Sequence, residues 1–216
     1  AAKRFTAELS AIEATHIDVR INSVGGAVFE GNAIYNALER HPARVETHID
    51  GIAASIASII ALAGERVHIA ENAFLMIHNP HGVAFGEAKD MRKMADTLDT
   101  VRSSLVGTYA KRTGKSAEDI QAWMDAETWF TAAEALEHGF VDEITESKEI
   151  DARIAASAAV ANFSNMPPAL LEQLRAAGGN EPAPVDPEPT EARTGPAPEV
   201  VAVWAESQRI LLEAAR

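Results

Sequence analysis

Apolar positions change their period several times along the first 146 residues, and each change predicts a new element. From Lys3 to Ile12, Phe5, Leu9 and Ile12 recur at helical spacing. Ile17 to Ile21 then alternates apolar and polar, as a half-buried strand does. Gly25-Gly26 predicts a tight turn into a helix from about Val28 to Glu39, followed by a strand from Arg44 to Ile49. Ser55 comes after that strand, where a helix of small and apolar residues begins. Arg66–Ile69 and Phe74–Ile77 read as short strands, and Glu87–Arg112 as a long helix stopped at Gly114. A helix starts at Ser116 and runs to about Met124. Thr131 to Glu134 has the spacing of a capping box, Gly139 ends that helix, and Phe140–Ile144 is a last strand. Such alternation predicts an α/β layer fold with largely parallel strands.

The pattern changes after residue 146, and eight of the ten prolines lie beyond position 166. Residues 147–180 read as a short helical extension, with helices at Ala155–Ala161 and Pro168–Ala177. Residues 181–199 read as a flexible linker rich in Pro, Glu and Ala, and 200–216 as an amphipathic helix carrying Val203, Trp204, Ile210 and Leu211.

Composition narrows the classes. A net charge of −13 argues against a nucleic-acid binder, which needs a basic face. There is no cysteine, so disulfides and thiolate metal sites are excluded. Ile52–Ala63 is the notable apolar run, and it is too short to span a membrane. The chain shows no signal-peptide pattern at its start, does not begin with Met and opens in helix-like sequence, which predicts that upstream residues are missing or removed. No phosphate-binding loop, dinucleotide fingerprint or metal-ligand spacing is present, so neither a cofactor nor a metal is expected.

The candidate chemistry lies in Gly51–Ser55, Met76–Pro80 and Glu127–Thr131. A serine hydroxyl becomes a good nucleophile only when a base takes its proton and a third group holds that base. Ser55 at a helix start could be an N-cap or a small packing residue. Its small neighbours Ala53, Ala54 and Ala57 would equally let a substrate backbone approach. The helix N-terminus favours a developing oxyanion. His78 follows an apolar strand and precedes Asn79-Pro80, at a strand end where functional loops collect; His81 is its near competitor. Glu127 is the candidate orienting carboxylate, with Asp125 and Thr128 as alternatives. Gly25-Gly26 would let a backbone amide face a substrate carbonyl.

Taken together these islands resemble the ClpP family of self-compartmentalising serine peptidases. Ile21-Asn-Ser-Val-Gly-Gly26 is similar to that family's I-N-S-P-G-G, with Val24 replacing proline. Gly51-Ile-Ala-Ala-Ser55 resembles G-Q-A-A-S, and Met76-Ile-His-Asn-Pro80 resembles M-I-H-Q-P. Thr131 to Asp142 resembles the segment after the family's aspartate. The resemblance implies a ClpP/crotonase-type fold of repeated αββ units, carrying here a Pro/Glu/Ala-rich C-terminal tail, with 1–146 as the protease domain and the family's first strand missing before it. It implies Ser55 as nucleophile, His78 as base, and the amides of Gly26 and Ile56 as oxyanion hole. Glu127 falls where the family has its catalytic aspartate. The helix at 87–112 resembles the family's handle, which packs ring against ring, so a homo-oligomeric ring is implied.

Asp50-Gly-Ile-Ala-Ala-Ser-Ile-Ala-Ser58, Met124-Asp-Ala-Glu-Thr-Trp129 and the extra tail are most similar to the head maturation (prohead) proteases of tailed bacteriophages. That branch implies capsid and scaffold proteins as substrates, in the host cytoplasm or inside an immature head. The alternatives are a bacterial ClpP-type subunit fed by an AAA+ unfoldase, a crotonase-like acyl-CoA enzyme, and a scaffold protein that kept the fold without activity.

Overall fold

The strand after the first helix is the seed of a single sheet. The structure, a computed structural model, describes residues 2–146, 163–168, 170–172, 199–205 and 208–215. Helix α1 (Ala2–Ser10) leads into β1 (His16–Ser23), α2 (Val28–Glu39), β2 (Arg44–Ala54) and α3 (Ile56–Ala61). Then come β3 (Arg66–Ala70), β4 (Phe74–Ile77), α4 (Ala88–Thr113), α5 (Ala117–Asp125), β5 (Thr128–Thr131), α6 (Ala132–Glu137) and β6 (Glu143–Thr145). Two strands, β7 (Glu199–Ala205) and β8 (Gln208–Ala215), complete the described elements.

Strand β2 organises the site. It pairs in parallel with β1 on one side. On the other, Glu46–Ile49 pairs with β3 and Ile52–Ala54 pairs with β4, both in parallel. The strand therefore changes neighbour just before Ser55, and the chain leaves the sheet there. Strand β6 extends β3 in parallel, while β5 runs antiparallel to β4. This is the expected α/β layer fold of the ClpP type, mostly parallel in its centre.

Alternation along the strands divides the two faces. Ile17, Val19, Ile21, Val45, Ile49, Val67 and Ile69 are buried and join one core with Phe5, Leu9, Ile34, Leu38 and Ile59 from the helices. The intervening positions, His16, Asp18, Glu46, His48 and His68, share the other face. Helix α4 is anchored by Leu105, Val106 and Tyr109, whereas its first half is largely exposed. Its 26 residues give a rod of about 39 Å at 1.5 Å per residue. The αL residue Gly114, at φ +69°, ends it. The capping box of Thr131 and Glu134 forms in both directions.

Three elements differ from the sequence pattern. Strand β5 fills the gap between the helix expected to end near Met124 and the one expected to start at Thr131, because Thr128–Thr131 finds an edge on β4. The strand expected at Phe140–Ile144 is Glu143–Thr145; Phe140 and Val141 are instead buried in the core ahead of it. The amphipathic helix expected at 200–216 is corrected to the β7–β8 hairpin, in which β8 lies antiparallel along β1. Val200, Val201 and Val203 are β-branched and favour extended backbone, and the edge of β1 offers unpaired amides and carbonyls for β8 to satisfy. The expected helix at Ala155–Ala161 and nearly all of the 181–199 linker lie outside the described residues. Of the expected helix at Pro168–Ala177, Pro168 and Leu170–Glu172 are helical. Among the described residues no helix is long and apolar enough to cross a membrane.

Candidate active site

Ser55 sits at the point where β2 ends and α3 begins. Its backbone has φ 56° and ψ −130°, outside both strand and helix regions. A non-glycine residue held there stores on the order of 1–3 kcal/mol of strain, tolerated only where the surroundings fix it. The surroundings do fix it. Ser55 N donates to Met76 O at 3.0 Å, and Ser55 O accepts from Ser58 N at 3.0 Å and Ser58 Oγ at 2.6 Å. Ser58 Oγ in turn meets Tyr109 Oη of α4 at 2.7 Å. Burial pushes the Tyr109 phenol well above its ordinary range, so it stays protonated as a hydrogen-bonding partner.

Two glycines shape the same turn. A Cβ on Gly25, which sits at φ +93°, would stand 2.7 Å from both Ala54 O and Ser55 Cβ. A Cβ on Gly31 of α2 would stand 2.2 Å from Ile56 Cγ1. The glycine at 31 lets α2 and α3 cross closely, and so sets where Ser55 and Ile56 stand.

His78 follows β4 directly, and β4 pairs with the last residues of β2, so the base and the serine come from neighbouring strands. His78 Nε2 lies 2.8 Å from Ser55 Oγ. Burial lowers the imidazole's pKa; the charge of His81 lowers it further and that of Glu127 raises it. A neutral imidazole at neutral pH is the form that accepts a proton. His81 packs edge-on against His78 with ring centroids 5.5 Å apart.

The carboxylate candidates are engaged elsewhere. Glu127 sits at φ 49°. Its Oε1 accepts from Asn165 N at 2.8 Å and, at 3.5 Å, from Trp129 Nε1. Its Oε2 accepts from Ser164 N at 3.1 Å. Asp125 Oδ1 accepts from Asn79 Nδ2 at 2.8 Å and from Arg102 at 2.7 Å. Thr128 Oγ1 donates to Trp123 O at 2.7 Å. Among the described residues none of the three is hydrogen-bonded to His78. The structure brings together the serine and the histidine, and leaves Glu127 close enough to act on the imidazole only through its charge.

Gly26 follows Gly25, which approaches Ser55, and Ile56 is the first residue of α3, whose amide has no intrahelical acceptor. Sequence reasoning missed Ser58, Tyr109 and Asn22. Asn22 Oδ1 accepts from Ile52 N at 3.1 Å and would be 2.7 Å from a Cβ on Gly51. The glycine was visible; the residue that requires it is 29 positions away and set by strand register.

Register also builds a polar cluster that spacing along the chain does not reveal. Glu46, His48 and His68 bring one ligand atom each within 4.8 Å of one another, as do His16, Asp18 and Glu46. His48 and His68 stack with centroids 4.5 Å apart. Both carboxylates already accept hydrogen bonds, Asp18 from His16 and His48 and Glu46 from His68. Burial raises the pKa of each, and these contacts, joined at Glu46 by the charge of Arg44, outweigh it and hold both below the usual carboxylate range.

A Clp protease family model matches residues 1–148, which is most of the chain. The chain belongs to the Clp protease family. Among its relatives, ATP-dependent Clp protease proteolytic subunit 1 of Leifsonia xyli subsp. xyli is 38% identical over 129 residues, covering 59% of this chain and 66% of that protein. Proteolytic subunit 2 of Thermobifida fusca is 38% identical over 130 residues, covering 59% and 64%. Proteolytic subunit 1 of Mycobacterium leprae is 34% identical over 140 residues, covering 64% and 70%. The chain thus spans about two thirds of the length of these relatives, 64–70%. The Clp match ends at residue 148, so the segment that reaches Glu127 lies beyond it.

Proposed function

We propose that this Clp-family chain is a serine endopeptidase that works through an acyl-enzyme. The observation that carries the proposal is the 2.8 Å contact between Ser55 Oγ and a half-buried His78 Nε2. His78 takes the hydroxyl proton as Ser55 Oγ attacks the substrate carbonyl carbon. The carbonyl π electrons move to oxygen, and the amides of Gly26 and Ile56 stabilise that oxyanion. The C–N bond then breaks as His78 protonates the leaving amine. His78 next deprotonates a water that attacks the ester, the ester bond breaks, and the proton returns to Ser55. Glu127 stabilises the imidazolium through its charge, since among the described residues it makes no hydrogen bond to the ring. Oligomerisation fits the exposed apolar residues ahead of and on α4: Val83 at 76% exposure, Phe85 at 90%, and Met91. The test is hydrolysis of an unfolded protein by assembled wild type and by Ser55→Ala. Loss of cleavage with the same oligomer size supports the proposal; retained cleavage refutes it.

Two finer readings follow from different observations. The Pro/Glu/Ala-rich tail beyond residue 146 favours a head maturation protease, confined inside an immature phage head and acting on capsid and scaffold segments. The ATP-dependent proteolytic subunits among its relatives favour a subunit fed by an AAA+ unfoldase. Degradation measured with and without host unfoldase and ATP separates them. ATP-independent cleavage of co-expressed capsid protein supports the first, and strict dependence on the unfoldase supports the second.

A further inference from the structure

Residues 163–168 and 170–171 return to the candidate active site and make three kinds of contact there. The Phe163 ring lies 5.8 Å from His78 and 5.4 Å from Trp129, edge-on to both. Met166 and Leu170 are buried against Ile52, Ala54, Phe74 and Met76. Ala54 directly precedes Ser55, and the carbonyl of Met76 holds the amide of Ser55. The backbone is held as well. Ser164 N and Asn165 N donate to the two oxygens of Glu127, and Asn165 Nδ2 donates to Ala126 O at 2.8 Å.

We propose that residues 163–168, with Leu170 and Leu171, are a plug supplied by the chain itself, an apolar peptide segment seated on a peptide-binding surface of β2, β4 and β5 beside Ser55 and His78, with Glu127 as its latch. The inference rests on the Ser55–His78 reading of the site. It explains why the candidate third member of the constellation makes no hydrogen bond to the imidazole among the described residues. Both oxygens of Glu127 are taken by amides of the segment, so the carboxylate turns to His78 only once the segment leaves. The occupant also defines the ligand chemistry: a stretch with a leading aromatic and two spaced apolar side chains, its backbone amides presented to a carboxylate. A tethered occupant competes at an effective concentration around the millimolar range, so a free peptide of ordinary affinity reaches the surface only in the fraction of molecules that are open.

The test uses the full chain as wild type, Phe163→Ala, Met166→Ala and the double variant. Hydrogen exchange reads the latch directly: the amides of Ser164 and Asn165 are slow in wild type, and become fast in Phe163→Ala and in Glu127→Gln. The rate of fluorophosphonate labelling at Ser55 and kcat/KM on an apolar fluorogenic peptide read its consequence. Both rise together, by about fivefold or more in the double variant, since each scales with the open fraction. Fast exchange of the two amides in wild type overturns the plug. So do protected amides with labelling and turnover unchanged or reduced in folded variants. Protected amides with no labelling of Ser55 in any variant leave the segment docked but refute the hydrolase reading, and the inhibitory role with it.

Discussion

Gly31→Ala gives a sharp test of how α2 sets the position of Ser55. Helix propensity alone says that the change stabilises, because alanine is favoured over glycine in a helix interior by about 1 kcal/mol. The structure reverses the sign. The new Cβ would stand 2.2 Å from Ile56 Cγ1, about 1.5 Å short of ordinary carbon contact. Ile56 cannot swing away cheaply, since it is β-branched in a helix and buried. Helix α3 must move instead. Overpacking of this kind costs about 1–3 kcal/mol, so after the propensity gain the net is a loss of up to about 2 kcal/mol. The melting temperature should fall, by up to about 8 °C. Activity falls more steeply, because Ser55 and the Ile56 amide ride on the start of α3, and a misplacement near 1 Å can cost about 100-fold in rate. The assay is a double-mutant cycle with Ile56→Ala, read by thermal melts and by kcat/KM. Removing the γ carbons makes room for the new methyl, so the double variant should be more stable than the sum of the singles by at least about 0.5 kcal/mol. Strict additivity, or a Gly31→Ala variant more stable than wild type, would refute the reasoning.

Two other outcomes follow from the same geometry. The acidic limb of kcat/KM should lie below the ordinary histidine value of about 6.5, because burial and His81 lower the pKa of His78 against the opposing charge of Glu127. The sign for stability matches: below that value the unfolded chain takes up a proton that folded His78 resists, so acidification destabilises the fold through this residue; a pH–rate profile with its limb above 6.5 contradicts this. Ser58→Ala should cost more stability than Tyr109→Phe. The first leaves the buried Tyr109 hydroxyl without its partner, about 1–3 kcal/mol, whereas in the second Ser58 still bonds Ser55 O. Urea melts of the two variants compare them directly.

The helices and central strands were readable because their signal is local. Phe5, Leu9 and Ile12 declare α1, and the alternation through Ile17, Val19 and Ile21 declares β1. Ser55 and His78 stand out as candidates because each sits at an element boundary marked by small residues or proline, and the structure brings them into contact. What failed depends on partners far along the chain. Thr128–Thr131 is extended only because β4 lies beside it, and β7 and β8 pair as strands only because β1 has an open edge. The apolar residues of that stretch satisfy a helical and an extended pattern alike, and the edge decides. Glu127 is a candidate by its place, but its bond partners, Ser164 and Asn165, come from a segment with no motif of its own. The polar face of Asp18, Glu46, His48 and His68 likewise exists only once three strands are in register.

The most direct measurement is mass-spectrometric mapping of a fluorophosphonate adduct on the intact chain and on its Phe163→Ala variant, each with and without His78→Ala. A hydroxyl activated by an imidazole at hydrogen-bond distance predicts a single adduct on Ser55 that disappears when position 78 loses its ring. An adduct on another serine, or one on Ser55 that forms equally fast without the histidine, would contradict it.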